Sequence, residues 1–308
     1  MTRIRRRGVV GGAAGLIALG GLRGTSSSGT SRWWFGGDAH LGDRRPRLGD
    51  AVRARLGGVG VVNLEGPLGA GPYARVEAAS ARVWLANAPT AVAALRDVGV
   101  GVVTRANNHR FDLGAVEMAP PNGLIALPTI DSPSPSQWLD RATRLFVHDL
   151  SEGAPPPAFP SPVRGEASGQ TLVVSLHVTG PPSYLPRPAT RAVVAQALAA
   201  GARLVLVHGT HVLGPVTRHD GPQGKALVAW GLGNLWFSCA CTRSREGLIV
   251  VLDVAAEHLD VTLVPVDAGL DGAPAVYARD AALAFDLLDA IGSDPGLAGP
   301  APIRLRTA

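Results

Sequence analysis

The chain has 308 residues, 46% hydrophobic and 17% charged, a globular balance that excludes a disordered chain. The formal net charge is +5, but Arg3, Arg5, Arg6, Arg7 and Arg23 all precede residue 32 and no acid does. Of the 29 basic residues, setting those five aside leaves 24 against 24 acidic ones, so the excess belongs to the leader and no nucleic-acid partner is expected.

Residues 1–30 combine a basic start, a weakly apolar run over 8–22 and then small polar residues, which is the shape of an export signal. Arg5-Arg6-Arg7 ahead of a Gly- and Ala-rich run suggests the twin-arginine route, which carries folded cargo. No Ala-x-Ala cleavage site follows, so a retained N-terminal anchor is the alternative to cleavage. The chain is expected in the periplasm or cell envelope. Residues 31–308 are expected to form one domain, since a chain of this size buries an adequate core without staples. The two cysteines, Cys239 and Cys241, are two apart and imply no disulfide framework.

Beyond the leader, short valine-rich runs alternate with alanine-rich stretches. Strands are predicted at 33–37 and 59–64, a helix at 89–98 with Pro89 in its first turn and Gly99 after it, and a strand at 100–105. Further strands at 171–176 and 203–207 flank a helix at 190–200. This alternation points to an α/β fold. Runs at 227–230, 248–254 and 261–266 follow without helices between them and read as a more antiparallel second sheet. A last helix is expected at 279–291. The Pro- and Ser-rich stretches 119–136 and 153–168 read as loops.

The chemistry sits where the strands end. The first strand runs into Asp38-Ala39-His40, the second into Asn63-Leu64-Glu65, and the third into Asn107-Asn108-His109. The last two deliver His177 and then His208-Gly209-Thr210-His211. Open α/β sheets build their sites at this edge. Singly, each signal has a structural explanation: an Asp-His hydrogen bond, an Asn turn, a satisfied core histidine. Together they supply mixed oxygen and nitrogen ligands without thiolate, a set suited to Mn, Fe or Zn. His148, His219 and His258 match no pattern and are expected at the surface, and Trp33 and Trp34 in the core or on a sheet face. Asn234, after Gly233, belongs either to the rim of the site or to a glycine turn. Lys225 is the only lysine, which disfavours lysine nucleophiles.

The motifs GDAHLG, VNLEGPL, ANNHRFDLG, HGTHVLGPV and GLGNLWF, in this order over residues 34–254, resemble the CapA-like poly-γ-glutamate (capsule) synthesis proteins. Those proteins have the metallophosphoesterase fold, a four-layer α/β/β/α sandwich. The resemblance implies two divalent metal ions: one held by Asp38, His40 and His211, the other by Asn108, His177 and His208, with Glu65 bridging. It places His109 over the substrate and Asp112 where it orients His109. Departures lie on the substrate side: His40 replaces a commonly apolar residue, Val178-Thr179-Gly180 replaces Trp-Gly, and the segment 114–140 is short and proline-broken. The implied function is a metal-dependent phosphoesterase acting on a phosphoester or anionic polymer, beside envelope polymer-synthesis machinery. The alternatives are a non-catalytic component that binds or helps export such a polymer, and a metal-dependent amide hydrolase.

Overall fold

A computed structural model describes residues 30–77, 82–113, 125–126, 136–150, 157–159, 170–238, 244–270 and 272–307. The leader, both cysteines and most of the stretches 119–136 and 153–168 lie outside the described residues. In chain order the elements are β1 (Ser31–His40), α1 (Asp50–Arg53), β2 (Val59–Leu64), β3 (Ala74–Glu77), β4 (Arg82–Leu85), α2 (Ala91–Asp97), β5 (Val100–Thr104) and β6 (Ile125–Ala126). There follow β7 (Ser136–Trp138), β8 (Thr143–Asp149), β9 (Thr171–His177), α3 (Pro188–Ala199), β10 (Ala202–His208), β11 (Val216–Gly221) and β12 (Gly224–Ala229). The chain closes with β13 (Asn234–Phe237), β14 (Glu246–Val254), β15 (His258–Asp267), β16 (Gly269–Leu270), β17 (Val276–Tyr277), α4 (Ala281–Ala290) and β18 (Ile303–Arg306).

The strands form two large sheets and one small hairpin. The first sheet runs β17-β15-β14-β1-β2-β5-β6, with β13 beside β1, β16 beside β13 and β18 beside β15. The second runs β11-β12-β10-β9-β8-β7, and among the described residues β3 pairs only with β4. In each large sheet the central strands are parallel: β1, β2 and β5 in the first, β8, β9, β10 and β12 in the second. The antiparallel expectation is therefore corrected in part. Strands β14 and β15 do form an antiparallel hairpin, but β14 pairs with β1 and extends the first sheet. The run 227–230 goes elsewhere, with β12 lying parallel to β10.

Period-two alternation assigns the faces. Trp33 and Phe35 of β1 share one buried cluster with Val61 of β2, Val173 of β9, and Leu204 and Leu206 of β10, so the two sheets pack face to face. Trp34 points the other way, with Val62, Leu64 and the helix residues Val52, Val92 and Leu95. On the far side of the second sheet, Val174, Leu176, Val205 and Val207 pack on Val194, Ala197 and Leu198 of α3. Both sheet faces of the central strands are thus buried, which is why these strands read as valine-rich runs. Gly60 sits inside β2 because Trp34 fills its side-chain space: a Cβ there would lie 2.1 Å from the indole. The three predicted helices fall within two residues of α2, α3 and α4. Asp280 caps α4 by accepting from the Leu283 amide at 2.9 Å.

Strand β8 was not among the predicted elements. It carries His148, which is buried at 4% exposure beside Phe146 rather than at the surface. His219 and His258 are half-buried.

Candidate metal centre

Both sheets present polar residues at the carboxyl ends of their parallel strands, and these two edges meet. In the first sheet Asp38 of β1 pairs with Asn63 of β2 and with Asn234 at the start of β13. In the second, His177 of β9 stands between Asp149 of β8 and His208 of β10.

Asp38 is fully buried and held from both sides. Its Oδ1 accepts from Asn63 Nδ2 at 2.9 Å and its Oδ2 from the Gly209 amide at 2.9 Å. Gly209 has φ +78°, and a Cβ there would lie 2.0 Å from the Val178 carbonyl oxygen and 2.7 Å from His177 Nε2. Only glycine lets the chain pass between these groups. Two residues on, His211 takes φ +55°, a left-handed conformation rare for a side-chain-bearing residue. Its Nδ1 donates to Asn234 Oδ1 at 3.0 Å, and Asn234 Nδ2 donates to the Ser244 carbonyl at 3.0 Å, which fixes the amide's orientation. Asn234 is thereby placed against the site and not in a free turn.

Glu65 lies between the two sheets, 1% exposed. Its Oε1 is 3.5 Å from His177 Nε2 and its Oε2 is 4.0 Å from His109 Nε2. Donor atoms of Asp38, Glu65 and His211 all fall within 4.8 Å of one another. His208 Nδ1 is 3.5 Å from Asp38 Oδ1. Asp38, Glu65, His177, His208 and His211 therefore form one cluster.

The electrostatics follow from burial opposed by opposite charge. Burial acts against ionised Asp38, but His208, His211 and His177 hold its carboxyl well below the usual range. Glu65 is likewise lowered: burial opposes its charge, and His177 and His211 outweigh it. For His177 burial favours the neutral ring, yet the carboxylates of Asp149 and Glu65 raise it to about 10. His211 also rises, burial being overcome by Glu65 and Asp38. Two carboxylates stacked this closely need positive charge nearby, and without a metal the imidazoles supply it.

His109 and Asp112 make a dyad. His109 Nδ1 donates to Asp112 Oδ2 at 2.7 Å, and the same oxygen accepts from the Leu85 amide at 2.7 Å. With Nδ1 committed, Nε2 is the ring nitrogen that faces Glu65. Asn108 lines the same open cleft as His109, Asp112, His177 and His211. Its neighbour Asn107 is fully buried and donates to Asn63 Oδ1 and the Leu64 carbonyl, at 3.1 and 2.9 Å, so it braces the turn.

His40 stands apart from the tight group. Its Nε2 donates to the carbonyls of Tyr73 and Ala86, each at 2.9 Å. Burial lowers its pKa, so the ring is neutral and Nδ1 is its one lone-pair nitrogen. That atom is buried and makes no hydrogen bond.

Two residues of the site were absent from the sequence reading. Asp149, fully buried at the end of β8, is 3.5 Å from His177 Nδ1. Arg110, inside the ANNHRFDLG motif, donates to Asp149 Oδ2 at 2.7 Å. The signal for Asp149 was available: RLFVHDL is a further apolar run that ends in an acid.

The donor set suits divalent metals. Glu65 Oε1, both nitrogens of His177 and His208 Nδ1 are buried and hydrogen-bonded to nothing. Their nearest partners are one another and the carboxylates of Asp149 and Asp38 at 3.5 Å, long for a hydrogen bond, and a divalent cation would complete them.

The family described as bacterial capsule synthesis protein PGA_cap matches residues 137–238. No curated protein matches the chain in sequence. Among solved structures, the crystal structure of a hypothetical protein from Thermus thermophilus is similar with a TM-score of 0.41 and 13% identity, covering 90% of this chain and 100% of that one. The matched segment contains Asp149, His177, His208, His211 and Asn234 and the motifs HGTHVLGPV and GLGNLWF; over these residues the chain is similar to the bacterial capsule synthesis proteins.

Proposed function

We propose that this chain is an exported metal-dependent phosphoesterase of the CapA-like kind, acting on a phosphoester or anionic envelope polymer beside the machinery that makes it. Residues 1–30 serve as export signal or N-terminal anchor, and 31–308 form one α/β/β/α unit. No described helix is long and apolar enough to cross a membrane.

The observation that carries the reading is the convergence of Asp38, Glu65 and His211 within 4.8 Å, with His177 and His208 against the same carboxylates. Asp38 and His211, with His40 through its unbonded Nδ1, would hold one divalent ion. His177, His208 and Asn108 would hold the second, and Glu65, which has an oxygen to offer each side, would bridge. Such a pair of ions, Mn, Fe or Zn, supplies Lewis-acid polarisation and a charge clamp for an in-line displacement at phosphorus.

The remaining roles belong to the chain's own groups. Asp112 fixes His109 so that Nε2 points into the cleft, and a protonated His109 can give that proton to a leaving oxygen. The Leu85 amide keeps Asp112 in place. Asp149, tied down by Arg110, sets the ring angle of His177. Asn63 and Gly209 hold Asp38 in place, each donating to one of its two oxygens.

The reading is tested by hydrolysis of phosphodiesters and phosphomonoesters by the manganese-loaded protein. Turnover lost in His109→Ala while metal stays bound supports it. Full metal occupancy with no turnover on either ester class transfers the site to the polymer-binding alternative.

A further inference from the structure

The edge opposite the metal centre carries a second group of charges. Arg218 of β11, Lys225 of β12, and Arg304 and Arg306 of β18 line one open pocket, in which Asp220 is the one acid among the described residues. Strand β12 runs parallel to β10 and starts at Gly224, while Arg306 lies across from His258, the first residue of β15. The pocket therefore sits at the amino ends of the parallel strands. Arg203, beneath it, is about 17 Å along β10 from His208.

Two of the four cations are engaged. Lys225 pairs with Asp220, and Arg304 holds Asp260 through two bonds of 2.8 and 2.9 Å. Arg218 and Arg306 are exposed, and among the described residues neither guanidinium has a hydrogen-bond or ion-pair partner. They belong to different sheets, yet their positions are tied together. Gly224 of β12 bridges to Thr307, next to Arg306. Arg203, 2% exposed, donates to the carbonyls of Lys225, Leu305 and Arg306 at 2.8, 3.2 and 3.0 Å, and among the described residues it meets no carboxylate. A buried cation without a counter-ion adds its field to that of the two guanidiniums above it. Two unpaired charges on one pocket match an anion of about −2, the charge of a phosphate group near neutral pH.

We infer that this pocket is a second anion site, separate from the metal centre, in which Arg218 and Arg306 bind a phosphate group. Their N–H forks suit phosphate oxygens. Such a group can come from a soluble molecule or from a lipid headgroup. Ser31 lies across from Val254 at this same edge, so residues 1–30 join the fold on the pocket's side, and a retained anchor would bring it to lipid phosphates.

The test is a binding measurement on full-length protein kept in chelator. The soluble probe is tripolyphosphate, read by calorimetry; the lipid probe is phosphatidylcholine vesicles with and without phosphatidic acid, read by cosedimentation. The double variant Arg218→Ala/Arg306→Ala is expected to bind one of the phosphate probes about tenfold more weakly than the wild type, and plain phosphatidylcholine equally. Arg45→Ala/Arg53→Ala removes the same charge from two other exposed positions and is expected to bind as the wild type does. The leader is common to all three proteins, so its contribution cancels. An effect on tripolyphosphate identifies a soluble phosphate, and an effect confined to phosphatidic acid vesicles identifies a lipid headgroup. No loss with either probe overturns the inference, and so does an equal loss in Arg45→Ala/Arg53→Ala, which would reduce the effect to net charge. Neither metal nor turnover enters the measurement, so its failure leaves the phosphoesterase reading standing.

Discussion

The amide of Gly209 donates to the carboxylate of Asp38 at 2.9 Å, a bond between residues 171 apart in the chain. It joins the carboxyl end of β10 to that of β1, and so fixes one sheet's ligands against the other's. Gly209→Ala would set a methyl carbon on the Val178 carbonyl in a left-handed backbone that alanine disfavours. We expect a loss of about 2–4 kcal/mol in stability, measured by urea unfolding. Metal affinity should fall with it, because the histidines on either side must shift.

Under the phosphoesterase proposal, His109 acts on substrate and not on the cluster's assembly. His109→Ala should lower phosphoester turnover by about 10²–10⁴-fold while elemental analysis shows unchanged metal. Asp112→Asn should give a smaller loss, since the ring keeps a partner but its tautomer is no longer imposed.

Asp149 should matter through His177. Asp149→Ala is expected to weaken metal binding by about 10–100-fold, as for other groups that orient a ligating histidine. Arg110→Ala leaves a fully buried carboxylate without its guanidinium, a loss of about 3–5 kcal/mol. Asp149→Asn with Arg110 intact separates orientation from charge: metal affinity retained in that variant would assign the role to geometry.

The shifted groups set the pH behaviour of the metal-free protein. Asp38 and Glu65 are lowered, so their contribution is complete above the ordinary carboxylate range and is lost in acid as pH falls through their folded values. His177 is raised from 6.5 to about 10, so its contribution is complete below 6.5 and disappears as pH rises toward about 10. Urea midpoints in chelator should therefore decline from about pH 6 toward about pH 10 as well as in acid. Metal binding must displace the His177 proton, so uptake should release protons and tighten as pH rises. Calorimetry in buffers of different ionisation enthalpy reads that release directly.

The strand ends were legible because parallel strands buried on both faces appear as apolar runs, and the first polar residue after each run marks the edge. The same logic missed β8, where Arg144 and His148 shorten the run to three apolar residues and proline-rich stretches flank it. Asp149 was lost with it. Sheet membership was less legible: alternation assigns Trp33 and Trp34 to opposite faces, but nothing in 227–230 says that its neighbour is β10. His40 shows the limit most clearly. Its spacing from Asp38 suits a ligand, while its Nε2 bonds to carbonyls of Tyr73 and Ala86, 33 and 46 residues away. That long-range contact with the chain around the β3–β4 hairpin leaves only Nδ1 for a metal.

The central claim is the dinuclear site bridged by Glu65, and the most direct measurement is metal stoichiometry by elemental analysis after manganese loading and desalting. The wild type should hold about two ions per chain, and Glu65→Ala should lose most of both. A wild type that retains no metal, or a Glu65→Ala protein that keeps the full complement, would contradict the account.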